Sequence, residues 1–270
     1  MTHSDLNRRH HISTVSIPPW AWGLWLTPLA LWLVLWVAVP EPALFIHVNQ
    51  AARILPDHAW ALLNMFGNGW SAFAFASPLL VFAPRLLVAG VCAGAISGAL
   101  SRILKLYFEL PRPAGVLDIT TFHILGKPLT AMSMPSGHTL TAFSLAAAFY
   151  FSIPPARRKP YLWLFLLATL AGVARVAVGA HWPADVMAGS AIGLFSGVLG
   201  AQWVSRLPAS LLEPRSWLLR VLSCGALLCM TMLATSQIDF AQAEPFQMIG
   251  IVIVIFTTVL FVRQQFTRNA

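Results

Sequence analysis

Apolar residues in this chain run in long unbroken stretches, and the polar residues collect in short segments between them. Stretches near 20–39, 61–83, 86–104, 138–153, 160–178, 184–205, 217–235 and 246–262 each approach the roughly 20 residues that a helix needs to cross a hydrocarbon core of about 30 Å. The pattern therefore predicts eight spans. The last contains the run IGIVIVIF, whose β-branched residues would suit a buried strand in water. An isolated strand leaves its backbone unsatisfied in lipid, so this stretch too is predicted as a helix. Two connections are long, 40–60 and 105–137. The second holds Pro111, Pro113, Pro128 and Pro135, which forbid a continuous helix through it, and a long loop among short ones is more often functional than idle. The expected fold class is all-α: a polytopic integral membrane helical bundle with a short tail (1–19), a six-span core (20–206), and a connector with two additional transmembrane helices (207–270).

Composition agrees with this picture. Hydrophobic residues make up 58% of the chain and charged residues 10%, against roughly 45–50% and about 25% in soluble domains. No water-soluble fold hides that much apolar surface. With the N-terminus inside, Arg8, Arg9, Arg85, Arg157, Arg158, Lys159, Arg206, Arg215, Arg220, Arg263 and Arg268 fall on the inner side, most of the 17 Lys and Arg. This is the orientation that the positive-inside rule favours. Only Asp5 and Glu213 among the 9 acids lie with them. The expected location is thus a bacterial inner membrane, with a cytoplasmic N-terminus. The apolar run behind Arg8 and Arg9 exceeds the 7–15 residues of a cleaved signal and is read as a retained span. The net charge of +8 is spread over loop ends as a topology signal, so nucleic-acid binding is not expected. Cys92, Cys224 and Cys229 fall within spans and are read as small apolar residues.

The outer side departs from the charge rule in one region, and candidate chemistry lies there in three clusters. Lys105 is followed seven residues later by Arg112 in a proline-flanked bend, Pro135-Ser136-Gly137-His138 opens the fourth span, and Arg175-VAVGA-His181-WPA-Asp185 crosses the turn between the fifth and sixth. Each has an ordinary reading: cations at helix ends snorkel, Pro-Ser-Gly is turn and cap chemistry, and a lone histidine usually just hydrogen-bonds. Together they are harder to explain that way, because a charge within a span costs about 2.5–3.5 kcal/mol even on the lenient insertion scale. Their common logic is anion capture. Lys105, Arg112 and Arg175 offer a point charge and two planar forks for phosphate oxygens. The backbone N–H groups of Ser136 and Gly137 stand at a helix start, whose positive end favours the same ligand. His181 and Asp185 are spaced to share a metal ion, but three nearby cations would repel it, so no metal or other cofactor is expected. Asp185 can instead reach back to His181 and orient it.

The three clusters, in this order and spacing, resemble the signature of the type 2 phosphatidic acid phosphatase (PAP2) superfamily, from Lys105 to Asp185. The resemblance implies a six-span phosphatase core and a membrane lipid phosphate as substrate. It implies that His181 attacks phosphorus to give a phosphohistidine, Asp185 orients it, and His138 protonates the leaving oxygen. Lys105, Arg112, Arg175 and the Ser136–Gly137 backbone would hold the phosphate. One position departs: the family's serine before the arginine is Ala174 here, which is expected to tune rate or specificity. The function expected is metal-independent hydrolysis of a lipid phosphate or diphosphate, such as undecaprenyl diphosphate or phosphatidylglycerol phosphate, at the periplasmic face. The alternatives are a phosphotransferase passing the group to another lipid such as lipid A, and a transporter or scaffold with a dead site. Haloperoxidases share the motifs, but the apolar spans here do not fit a soluble vanadate enzyme.

Overall fold

The computed structural model describes residues 16–236 and 239–266; the expectations for Asp5, Arg8, Arg9 and Arg268 lie outside them. Among the described residues the chain forms α-helices and short 3-10 turns without a strand. The helices are α1 (Leu26–Ala38), α2 (Glu41–Ala51), α3 (Asp57–Met65), α4 (Gly69–Ala76), α5 (Leu79–Phe82) and α6 (Pro84–Phe108). There follow α7 (Gly137–Ser152), α8 (Trp163–Ala177), α9 (Pro183–Ser205), α10 (Trp217–Thr235) and α11 (Glu244–Phe266). Among the described residues, six segments are long and apolar enough to cross a membrane by length and composition, and the IGIVIVIF run lies in the last of them, Ala241–Phe266. Large apolar side chains such as Val34, Trp36 and Val37 on α1 and Val252, Phe256 and Val259 on α11 face outward, as the surface of a membrane-spanning helix does.

Two expected spans are built differently. The stretch 61–83 is three short helices, α3 to α5, because the chain breaks where the cap chemistry is strongest. Asn68 starts α4 by accepting from the Trp70 and Ser71 N–H groups at 3.0 and 3.4 Å, and Pro78 precedes α5. The stretch 138–153 is the 16-residue α7, about 24 Å long at 1.5 Å per residue. It survives being short by standing in the middle of the bundle rather than against lipid. The 40–60 connection is mostly helical too, forming α2 and the start of α3.

The α7–α9 pair is the centre of the molecule, and glycine makes it possible. Gly189, Gly193 and Gly197 recur every four residues along one face of α9. A Cβ at each would lie 2.6 Å from the carbonyl oxygens of Ser136, Leu140 and Ser144 respectively. Small residues at this spacing let two backbones meet without intervening side chains. The contact brings the first turn of α7 against the first turn of α9, and the Ser136 N–H donates to the Asp185 carbonyl at 3.0 Å. Gly193→Leu must therefore push the helices apart. We expect destabilisation of about 1–3 kcal/mol or more, read as a lower thermal unfolding midpoint in detergent.

Helices α10 and α11 pair with each other and lean on α4, through a cluster of Ala74, Ala226, Cys229, Leu233 and Val254. Their connection reaches further. Phe240 and Ala243 join Trp60, Met65, Leu125, Ala174 and Ala177 in one buried apolar cluster. Ala174 is thus a core methyl, with no exposure at all.

Candidate active site

His181 sits in the turn between α8 and α9. The turn folds back on Arg175, whose carbonyl accepts from the Ala180 and His181 N–H groups at 3.0 and 3.2 Å. This return is the physical content of the five-residue spacing between the two. It needs Gly179, at φ 73°, where a Cβ would also lie 2.6 Å from the His123 carbonyl oxygen. Asn49 clamps the same corner from α2: its amide donates to the carbonyls of His123, Val176 and Ala177 at 2.9, 3.0 and 3.0 Å.

The imidazole of His181 is 2% exposed and is fixed at both nitrogens. Nδ1 is 3.1 Å from Asp185 Oδ2, and Nε2 is 3.1 Å from Arg112 Nη1. A guanidinium only donates, so Nε2 carries the lone pair and Nδ1–H donates to Asp185. Burial, and then the cations Arg112, Arg175 and Lys105, hold His181 well below the usual histidine range. The ring is therefore neutral at neutral pH, with its basic nitrogen turned toward the cations. The same Oδ2 of Asp185 accepts from Ser133 Oγ at 2.5 Å and from the Trp182 N–H at 2.9 Å, which leaves the carboxylate little freedom to turn.

The three cations converge, each held by a different part of the fold. Arg175, at the end of α8, is buried. It donates through Nη1 to Asn64 Oδ1, while its buried Nε has no partner among the described residues. Arg112 spans the loop, with Nε on the Ala131 carbonyl at 2.8 Å and Nη1 on the Ala180 carbonyl at 2.9 Å. Lys105, in the last turn of α6, reaches the Met132 and Ser133 carbonyls at 2.5 and 3.3 Å. Gly137 is the first residue of α7, so its N–H belongs to the unsatisfied helix start. The Ser136 N–H does not: it is taken by the Asp185 carbonyl, and the Ser136 hydroxyl accepts from Thr139 Oγ1 at 2.9 Å. Ser136 thus joins α7 to α9 at the edge of the site, and the backbone donor left open at this corner is that of Gly137.

His138 turns toward a residue that the sequence did not single out. Its Nε2 is 2.8 Å from Asp239 Oδ2, in the connection between α10 and α11. Beside this pair a cavity of about 270 Å³, lined by Asn68, Ser101, Arg102, Lys105, Gly137 and His138 among others, opens between α4, α6 and α7. Of the residues missed, Asn64 carried a signal, as a polar side chain within an apolar stretch is a functional candidate by default. Ser133, Asn49 and Asp239 carried none beyond lying in the connections expected on the outer side.

A multi-pass membrane helical bundle with a buried His–Asp pair ringed by three cations defines a class, an integral membrane protein whose pocket has the charge to receive an anion. The model of the PAP2 superfamily matches residues 85–209, so this segment of the chain is similar to that superfamily. Over 125 residues it is 31% identical to a lipid A 1-phosphatase of Porphyromonas gingivalis, a match covering 46% of this chain and 24% of that one. The chain thus spans about a quarter of that relative's length. A lipid A 1-phosphatase of Rhizobium johnstonii is 29% identical over 218 residues, covering 73% of this chain and 87% of that one. The crystal structure of Aquifex aeolicus LpxE matches with a TM-score of 0.53 at 28% identity, covering 61% of this chain and 96% of that one.

Proposed function

We propose that this chain hydrolyses a lipid phosphate or diphosphate through a phosphohistidine on His181, at the periplasmic face of a bacterial inner membrane. The observation that carries it is the state of His181: Nδ1–H held by Asp185 and the Nε2 lone pair facing Arg112. An arriving phosphate takes over the Arg112 N–H and so frees that lone pair. Nε2 then bonds to phosphorus as the ester P–O bond breaks, and His138 gives a proton to the departing lipid oxygen. Lys105, Arg112, Arg175 and the Gly137 N–H hold the three equatorial oxygens; the unpartnered buried Nε of Arg175 is a donor awaiting such an acceptor. Water then attacks phosphorus with His138 as base and releases phosphate. The chain divides as a tail (1–19), a phosphatase core (20–206) and an extension (207–270).

The likeness to lipid A 1-phosphatases adds lipid A 1-phosphate as a substrate, where the sequence alone suggested lipid A only as an acceptor. The deciding experiment measures phosphate release from lipid A 1-phosphate, undecaprenyl diphosphate and phosphatidylglycerol phosphate, each with and without an acceptor lipid and with EDTA. One of the three should be hydrolysed with EDTA present. Transfer to the acceptor in place of free phosphate would make the chain a phosphotransferase. Turnover abolished by chelation and restored by a divalent ion would end the metal-free reading. Orientation is tested at Lys127, which is exposed in the central loop: Lys127→Cys should react with an impermeant thiol reagent in intact spheroplasts, and labelling only after rupture would reverse the topology.

The pH profile follows from His181. The nucleophile must be unprotonated, and it is lost as pH falls through a value held well below 6.5. The acid limb of kcat/KM should therefore lie well below pH 6.5 and rise with pH. A limb at or above 6.5 would contradict a buried, cation-flanked His181.

A further inference from the structure

The carboxylate on His138 comes from outside the segment that matches the PAP2 model, which ends at residue 209. Asp239 Oδ2 lies 2.8 Å from His138 Nε2 and also accepts from Asn68 Nδ2 at 3.3 Å. The contact is anchored on both sides. Phe240 is buried beside Trp60, Met65 and Leu125, and Asn68 is itself fixed as the cap of α4. Asp239 takes φ 58°, a left-handed conformation that aspartate tolerates better than most residues. Burial alone would raise its carboxyl, but His138 and Arg175 outweigh burial and hold it at about 2, so Asp239 is an anion throughout the physiological range.

A histidine that gives a proton to a leaving group must carry that proton when the substrate arrives. The surroundings of His138 oppose this: burial does so first, and Arg175 from α8 and Arg112 from the loop then add positive charge. Asp239 is the carboxylate that faces it. An anion hydrogen-bonded to Nε2–H favours the imidazolium. It also fixes the ring, leaving Nδ1, which has no hydrogen-bond partner among the described residues, to hold the mobile proton. The pair keeps 18% and 20% of its side-chain surface exposed, enough for that proton to be replaced from water.

We propose that Asp239 is a positioning residue for His138, so that the two-helix extension completes the acid–base half of the site. This rests on the phosphatase reading above. As the His181 Nε2–P bond forms and the lipid P–O bond breaks, the lipid oxygen takes the His138 proton, while Asp239 keeps its charge and its hold on Nε2–H. When water attacks phosphorus and the N–P bond breaks, His138 takes the proton of that water and is charged again.

The test compares wild type, Asp239→Asn, Asp239→Glu, His138→Ala and the Asp239→Asn/His138→Ala double variant. Each is assayed on a lipid phosphate and on an aryl phosphate whose leaving group needs little protonation, across pH. Asp239→Asn should lower kcat on the lipid phosphate about 10–100-fold, part of the 10²–10⁴ that general-acid help is worth, with a much smaller loss on the aryl phosphate. The alkaline limb of kcat should move to lower pH, Asp239→Glu should recover part of the loss, and Asp239→Asn should cost nothing further once His138 is gone. Vanadate binding at wild-type strength reports an intact fold, and Asp239→Glu carries the same test if the amide variant does not fold. Equal losses on both substrates with an unmoved pH limb overturn the inference. So does a gain in turnover, which would make Asp239 a plug. An active wild type with an indifferent Asp239→Asn overturns this inference alone, whereas a wild type inactive on every phosphate overturns the phosphatase reading beneath it.

Discussion

His181→Ala is expected to lower turnover on any phosphate by about 10⁴-fold or more, because it removes the covalent route and not merely a contact. The structure gives the ring no understudy: Nε2 is the basic nitrogen among the cations and Nδ1 is spent on Asp185. His138→Ala should behave differently. Its proton matters most when the leaving group is a poor one, so an aryl phosphate should still phosphorylate His181 while a lipid phosphate falls by about 10²–10⁴. The second step still needs a base to take the proton of water, so the phosphohistidine should accumulate. Radiolabelled aryl phosphate and an alkaline quench, which spares the N–P bond, should show labelled protein with His138→Ala and none with His181→Ala. Equal losses of the two variants on aryl and lipid substrates, or label retained without His181, would sink this division of labour.

Arg175→Met should abolish tight phosphate binding while leaving the fold intact or firmer. Among the described residues, buried Arg175 has one hydrogen bond, to the neutral amide of Asn64, and no carboxylate in contact, so it stands as a buried charge without an ion pair there. Such a group costs stability in the empty protein and is recovered only when an anion arrives. Losing a buried charge-assisted contact to a ligand costs about 2–5 kcal/mol, so vanadate affinity should drop by about 30- to 5,000-fold. Vanadate is the sensitive probe because it adopts the five-coordinate geometry of phosphoryl transfer. Binding is read by inhibition of wild type and by calorimetry of the variant, beside unfolding in detergent. A variant that unfolds readily but binds vanadate normally would make Arg175 a structural residue, held for Asn64 alone.

How much of this was legible before the fold was known depended on the range of the interaction concerned. Helical spans are written locally, since an apolar run of sufficient length has one way to satisfy its backbone in lipid, and 217–235 coincides with α10 to the residue. The residues of the chemistry were legible for a related reason. Arg175, His181 and Asp185 flank a single turn between α8 and α9, so their short spacing along the chain bounds their separation in space, and the His181 N–H returns onto the Arg175 carbonyl. The loop bearing Arg112 was recognisable by its prolines, although its destination was not. Where local signals compete, the reading failed: 61–83 looks apolar throughout, yet the capping amide of Asn68 and the ring of Pro78 break it. That break presents Asn64 to Arg175 and Asn68 to Asp239.

What the sequence determined by itself was the solvent of this protein, its helical class and the identity of the charged and histidine side chains that gather at the candidate site, because hydrophobic length, charge and short spacing need no partner to be read. What only the tertiary structure decided was which backbone donors remain free and which distant side chains complete the site. Ser136 lost its N–H to Asp185 because three glycines let α9 lie against α7. His138 gained a carboxylate from 101 residues away because Phe240 finds its place in the core behind it. A contact at that distance along the chain leaves no periodicity to detect, since its geometry is set by the packing of helices and not by the local path of the backbone.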